Sequence, residues 1–194
     1  MTTILRLDTS ARHTGSVSRQ LTDRIVSRFG DAKVVTRDLA QPLPLLDENW
    51  VYANFTPAAD RTDAQRETLA LSDTLVAELK EADVLVIGLP IYNFGAPAAF
   101  KAWVDLVARV GLTFQYSEAG PEGLLSGKRA IVAYASGGVP MGSPVDFASG
   151  HVRQVLAFLG ITDVEFVAAE GLNAGAENAV EAAEAAIDAL NLAA

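Results

Sequence analysis

Residues 84–110 read VLVIGLPIYNFGAPAAFKAWVDLVARV, and this stretch decides the fold. Val84 to Leu89 is a short, continuously apolar run rich in β-branched residues, as in a strand covered on both faces of a parallel sheet. Phe100 to Val110 then carries apolar residues at helical spacing, and Pro97 suits the first turn of that helix. Strand, loop and helix in that order make one βα unit. The same alternation extends outward through strands at Thr2 to Leu7, Lys33 to Asp38, Arg129 to Ala135 and Val164 to Ala168. Helical stretches lie between them. Ser18 to Phe29 places Leu21, Ile25 and Val26 on one face, and Thr62-Asp63-Ala64-Gln65 is a capping box opening a helix through Lys80. Val152 to Leu159 continues the series, and the Ala- and Glu-rich Glu177 to Leu192 is helical by propensity. The expectation is an α/β fold with a five-stranded parallel sheet and helices on both faces.

Two segments interrupt the alternation. Ala40 to Arg61 holds Pro42, Pro44 and Pro57 together with Trp50, Tyr52 and Phe55, an excursion without a clear period but too aromatic to be a disordered linker. Gly111 to Gly127 reads as a small hairpin in which Gly120 and Gly123 flank a polar turn.

Composition narrows the function classes. The chain has 194 residues, 50% hydrophobic and 20% charged, which excludes disorder, collagen and coiled coil. A single domain spanning residues 1–194 is expected, burying roughly 70% of its unfolded surface without a disulfide or a structural metal. There is no cysteine, and His13 and His151 are the two histidines, so a metal centre is not expected. Fifteen basic against 24 acidic residues give a net charge of −9, which disfavours nucleic acid and anionic lipid surfaces. The start of the chain lacks a basic stretch before a long apolar core, and no apolar run approaches ~18 residues. The expectation is a cytoplasmic protein with no membrane association.

In an open parallel sheet, ligands sit outside the carboxyl ends of the strands. The loop after the first strand, Asp8 to Ser18, enters a helix and is rich in hydroxyls. Free amides at a helix start, with Ser10, Ser16 and Ser18 beside them, make an anion site; the same serines also fit a plain helix cap. Neither a nucleoside-triphosphate loop nor a G-x-G-x-x-G turn is present, so a terminal monophosphate fits better. After the third strand, Ile91, Tyr92, Asn93 and Phe94 offer an apolar face and an amide to a flat heteroaromatic ring, or else cover the end of the core. After the fourth, Ala135, Ser136, Gly137 and Gly138 allow close approach of backbone amides to a ligand, or a turn needing positive φ. Together the three loops suggest a mononucleotide with a planar ring, and FMN at a flavodoxin-like switch point meets that description. Neither histidine has an acid at diagnostic spacing along the chain.

The phosphate loop with Ser10 and GSVS, LPIYNFGAPAAFKAWVDLVARVGLTFQY after the third strand, GPEGLLSGKRAIV, and ASGGV after the fourth carry a resemblance. Across essentially the whole chain they resemble the FMN-dependent NADH-azoreductase (quinone reductase) family. The resemblance implies a flavodoxin-like fold of strand order 2-1-3-4-5 and a homodimer. It implies an FMN phosphate on Ser10, Ser16, Val17 and Ser18. The isoalloxazine ring would lie against Ile91, Tyr92, Asn93 and Phe94 and against Ala135, Ser136, Gly137 and Gly138. Where the family often has Ser-Arg before the two glycines, this chain has Ala135-Ser136.

Such a site passes hydride from NADH or NADPH through FMN to a quinone or azo compound; the flavin performs the chemistry and no side chain need be a catalyst. The rival from another class is a non-catalytic flavodoxin-type electron carrier, against which the aromatic excursion and the hairpin argue. On the helix from Phe100, the apolar positions Phe100, Trp103, Val104, Leu106, Val107 and Val110 exceed a single ~100° stripe. A wider contact inside one chain would explain the surplus equally well, but the resemblance to a dimeric family favours a homodimer whose interface includes this helix and borders the flavin.

Overall fold

The computed structural model describes residues 1–192. Its main sheet has five parallel strands, β1 (Thr3–Asp8), β2 (Lys33–Asp38), β3 (Val84–Pro90), β6 (Arg129–Ala135) and β7 (Asp163–Ala169), in the order β2-β1-β3-β6-β7. Renumbered among themselves, these strands give the expected 2-1-3-4-5. The order reverses at β1, so β1 and β3, neighbours in the sheet, send their chains to opposite sides of it. Strands β4 (Phe114–Ser117) and β5 (Gly120–Gly123) form a separate antiparallel hairpin.

The alternation of side chains along the central strands builds two cores. Leu85, Ile87 and Leu89 of β3 and Ala130, Val132 and Tyr134 of β6 face a large cluster with Leu75 and Leu79 of α3 (Asp63–Glu81). Phe100 and Trp103 of α4 (Ala98–Val107) and Val152 and Leu156 of α5 (Ser149–Leu159) complete it. Val84, Val86, Ile131 and Ala133 face the other side, against Leu21 and Ile25 of α1 (Val17–Ser27) and Ala183 and Ile187 of α6 (Leu172–Ala189). Burial on both faces is what a continuously apolar strand requires. Among the described residues no helix is long and apolar enough to cross a membrane.

The capping box is formed: Gln65 N–H donates to Thr62 Oγ1, and Thr62 N–H donates back to the Gln65 side chain. The aromatic excursion contains a helix that its lack of period concealed, α2 (Glu48–Phe55), whose N-cap Asp47 accepts from Trp50 N–H at 2.8 Å. The hairpin is present, but its turn is Glu118-Ala119, and Gly120 and Gly123 are the two ends of β5. Close packing demands Gly123: a Cβ there would lie 2.1 Å from Gly160 N and 2.3 Å from the Leu159 carbonyl carbon. Helix α6 starts at Leu172, earlier than expected, with a kink at Gly175.

Helix α4 corrects one expectation. Phe100, Trp103, Val104, Leu106 and Val107 are all buried within the single chain. The surplus apolar positions serve the wider internal contact, because α3 and β3 both pack on this helix. Val110, 51% exposed, lies beyond the helix, which stops at Val107. The stop is set by Arg109, which turns into the interior to donate to Ser72 Oγ at 2.6 Å and to pair with Asp73 at 3.1 Å. This helix therefore offers no uncovered apolar face to a second copy.

Candidate functional site

Glycine at position 88 brings α1 against the sheet. A Cβ there would lie 3.1 Å from Thr22 Cγ2 and 3.3 Å from Ser18 O, a tight fit that glycine relieves where the helix start sits at the carboxyl end of β1 and β3. Thr9 Oγ1 donates to Gly88 O at 2.7 Å and fixes the loop's root. Ser10, buried, accepts from Arg12 N–H at 3.2 Å and shares a 3.3 Å hydrogen bond with Tyr92 Oη. Gly15 adopts positive φ to turn the chain into α1. Ser16 occupies the N-cap position, yet its side chain makes no capping bond; its hydroxyl lies 3.3 Å from Ser18 Oγ. The plain cap is thus excluded for Ser16. The first turn of α1 has no acidic residue, so its amides and dipole face the cleft without a competing carboxylate. Val17 packs its side chain into the core and offers only its backbone.

The loop after β3 is a two-residue reverse turn. Tyr92 and Gly95 exchange N–H to C=O bonds of 3.0 Å each, and Asn93 and Phe94 between them have φ of 49° and 71°. Positive φ at both central positions is the type I′ pattern, and holding a phenylalanine there is strained. The turn is tied to its neighbours: Ile91 N–H donates to Ala135 O at 2.9 Å, and Phe147 N–H to Phe94 O at 3.0 Å. Tyr92 Oη accepts from Ala11 N–H at 3.3 Å, so the ring loop touches the anion loop directly.

After β6, Ser136 is buried and its hydroxyl turns inward to accept from Val139 N–H at 2.8 Å. Neither Gly137 nor Gly138 has positive φ, so no left-handed turn demands them. Gly137 is instead a close approach: a Cβ would lie 2.7 Å from Asn173 Nδ2. The loop's far end is anchored by Asp146, which accepts from Gly142, Ala148 and Ser149 N–H and from the Ser149 hydroxyl. Against the burial that would raise it, these bonds hold the Asp146 carboxyl below the ordinary carboxylate range. The Tyr134 phenol, pushed up to about 12 by burial and by the charge of Asp146, stays protonated and donates to Val139 O at 3.1 Å.

These loops enclose one cleft of about 180 Å³. A larger hollow of about 690 Å³ lies at the opposite end of the sheet, around Phe29, Asp83, Lys128 and Asp163. It has no helix start facing inward and mixes charges of both signs. The smaller cleft lies at the strand ends where α/β sheets bind ligands.

The flavodoxin-like fold family matches residues 2–192. The chain belongs to that family. Among its relatives, a protein of Jannaschia sp. (strain CCS1) named FMN-dependent NADH:quinone oxidoreductase 1 is 62% identical over 190 residues, 98% of this chain and 99% of the relative. A Cereibacter sphaeroides (strain KD131) protein named FMN-dependent NADH:quinone oxidoreductase is 55% identical over 194 residues, 98% and 99% of the two chains. Among solved structures, an azoreductase from Bacillus anthracis superposes with a TM-score of 0.86 at 28% identity, covering 97% of this chain and 96% of that one.

In this flavodoxin-like chain the cleft gathers Ser10, Ser16, Val17, Ser18, Tyr92, Ala135 and Gly137 of the residues read from the sequence. It does not gather the others. Ile91 packs against the core, Ser136 is buried under its own turn, and Asn93, Phe94 and Gly138 stand outside the cleft wall. The sequence did not single out Arg12, Gly15, Pro90, Leu172 and Asn173, which also line it. The last two open α6 just after β7, where Leu172 N–H donates to Ser136 O and Asn173 N–H to Gly137 O, both at 3.1 Å. Gly171-Leu172-Asn173 after a strand was the available signal. Across the chain, His13 Nδ1 comes within 3.6 Å of Asp38, a pairing that sequence spacing hid.

The residues present fit a phosphorylated planar ligand. Hydroxyls and uncapped helix amides converge at one end, and a glycine backbone and an aromatic turn stand at the other.

Proposed function

We propose that the cleft binds FMN and that the protein is an FMN-dependent NADH:quinone oxidoreductase that also reduces azo compounds. The observation that carries this is the convergence of the β1, β3 and β6 loops on one cleft, where the anion end and the ring end touch through Tyr92, Ser10 and Ala11. The names of the relatives at 62% and 55% identity support it.

The bound flavin supplies the redox chemistry, hydride from the nicotinamide in one half-reaction and hydride to the acceptor in the next. The chain's own groups do the rest. Ser10, Ser16 and Ser18 with the α1 amides hold the phosphate, Val17 contributing its N–H. Tyr92 would offer the ring apolar surface and the Gly137 amide a donor to its edge, with Ile91 supporting the turn from the core; Asn93, Phe94 and Gly138, outside the cleft wall, would meet only a ring that extends beyond it. Ala135 forms the cleft wall beside them, and Ser136 shapes the turn from below, its hydroxyl being engaged with Val139.

A non-catalytic carrier shares this fold. The enzyme is favoured because the relatives at 62% and 55% identity are named oxidoreductases. NADH is the donor in the relatives' names; NADPH is the alternative donor for this chain.

The reading includes a single domain over residues 1–194, a cytoplasmic setting and a homodimer. With α4 covered, the homodimer reading rests on exposed apolar residues beside the cleft, Phe94 at 53% and Phe147 at 68%, joined by the Phe147–Phe94 backbone bond. Steady NADH consumption by the FMN-loaded protein in the presence of a quinone tests the function. A yellow protein that accepts no electrons from NADH would leave only the carrier reading.

A further inference from the structure

Arg19 lies in the first turn of α1, yet it does not face a ligand. Its Nε donates to Arg12 O at 2.9 Å, and Nη2 donates to Ser10 O at 2.8 Å and to Asp38 Oδ1 at 2.6 Å. Its Nη1 lies 3.3 Å from Asp8 Oδ2. The guanidinium thus gathers two backbone carbonyls of the anion loop and the carboxylates that end β1 and β2.

Those partners are themselves fixed. Asp8, buried, accepts from Thr22 Oγ1 at 3.0 Å and from Arg6 Nε at 2.9 Å. Asp38 also accepts from Ala40 N–H at 3.0 Å. Against the burial that would raise it, the hydrogen bond and charge of Arg19 hold the Asp38 carboxyl below its ordinary range. Two carboxylates meet the single charge of Arg19, so little of it is left to attract a phosphate.

Its effect is geometric. A trans peptide points its N–H opposite to its C=O. With Ser10 O drawn to Arg19, the next N–H, that of Ala11, points the other way, and it is found donating to Tyr92 Oη on the cleft wall. With Arg12 O drawn the same way, the N–H of His13 is likewise turned from Arg19. A reversed Ser10–Ala11 peptide would break the Ala11–Tyr92 bond, and either reversal would put a carbonyl oxygen on the anion loop where an N–H now stands. We propose that Arg19 is a positioning residue for the cofactor phosphate: it clamps the carbonyls of Ser10 and Arg12 so that the loop amides stay turned to the cleft. The inference rests on the FMN reading above and assigns a role to a side chain outside the cleft.

The test compares FMN with riboflavin, which lacks the phosphate, by fluorescence quenching on Arg19→Lys and Arg19→Gln proteins. Lysine keeps the charge but lacks the planar fork, so it can reach one carbonyl but not both together with the carboxylates. The expected loss of FMN affinity is about 10-fold for Arg19→Lys and about 100-fold for Arg19→Gln, with riboflavin changed less than about threefold. The loss of phosphate selectivity, graded with partial rescue by lysine, is what a merely structural role would not produce. Equal weakening of both flavins, or undiminished FMN affinity in folded Arg19→Lys, overturns the proposal. If Arg19→Gln does not fold, the lysine variant decides. A wild-type protein that binds neither flavin defeats the FMN reading itself, and this inference with it.

Discussion

Replacing Gly137 by alanine separates what the glycine loop does for a ligand from what it does for the fold. The added Cβ would stand 2.7 Å from Asn173 Nδ2 and 2.9 Å from its Cγ and Oδ1, closer than carbon contacts allow. The obstacle is an exposed side chain at the rim, and it can swing into solvent. Gly137 has no positive φ, so alanine fits its backbone, and reducing the freedom of the unfolded chain returns ~0.4–1 kcal/mol. Stability of the flavin-free protein should therefore change by less than about 1 kcal/mol. Ligand binding should not escape. The methyl group intrudes where the backbone approaches the ring, and overfilling of a close contact costs ~1–3 kcal/mol. That corresponds to a loss of FMN affinity of roughly 5- to 150-fold. Urea denaturation without flavin and titration with FMN give the two quantities. A folded Gly137→Ala protein with full FMN affinity would refute the assignment of this loop to the ring.

Gly123→Ala should do the opposite, because its Cβ would strike backbone atoms of Leu159 and Gly160 that cannot swing away; a loss of at least ~3 kcal/mol by denaturation is expected, and a stable variant would show that the hairpin is not docked on α5. Ser16→Ala removes no capping bond, so apo stability should hold within about 0.5 kcal/mol, while FMN weakens by roughly 10- to 100-fold and riboflavin does not. Equal weakening of the two flavins would contradict the phosphate assignment. Asp146 is held below its ordinary value of 3.8, so its bonds to the α5 start stabilise the fold above that pH and are lost as pH falls through the lowered value. The stability gap between wild type and Asp146→Asn should be constant near neutrality and shrink below about pH 4; a gap that widens in acid would reverse the sign.

Much of this was legible because the signals were local or periodic. The apolar run at Val84 to Leu89, the capping box at Thr62 and the hydroxyl-rich loop after β1 each follow from chemistry within a few residues. What stayed hidden depended on contacts distant in sequence. Gly123 read as a turn residue, and only the approach of Gly160 shows why glycine stands there. Helix α2 has one terminal signal, Asp47, within a proline-rich stretch, and its packing through Trp50 and Ala53 is tertiary. The surplus apolar face of α4 looked like an interface because a sequence pattern counts apolar positions but not the layers that cover them. In the site, the switch-point rule led to three loops and passed over the fourth, so Leu172 and Asn173 escaped. The Arg19 clamp joins positions 8, 10, 12, 19 and 38, and no spacing rule connects them.

A crystal structure of the protein soaked or grown with FMN tests the central claim most directly. The phosphate should lie at Ser10 and the α1 start between Ser16 and Ser18, with the ring between the Tyr92–Gly95 turn and the Gly137-Gly138 backbone. Flavin density in the hollow beside Phe29 and Lys128, or a protein that stays colourless and takes up no FMN, would contradict it.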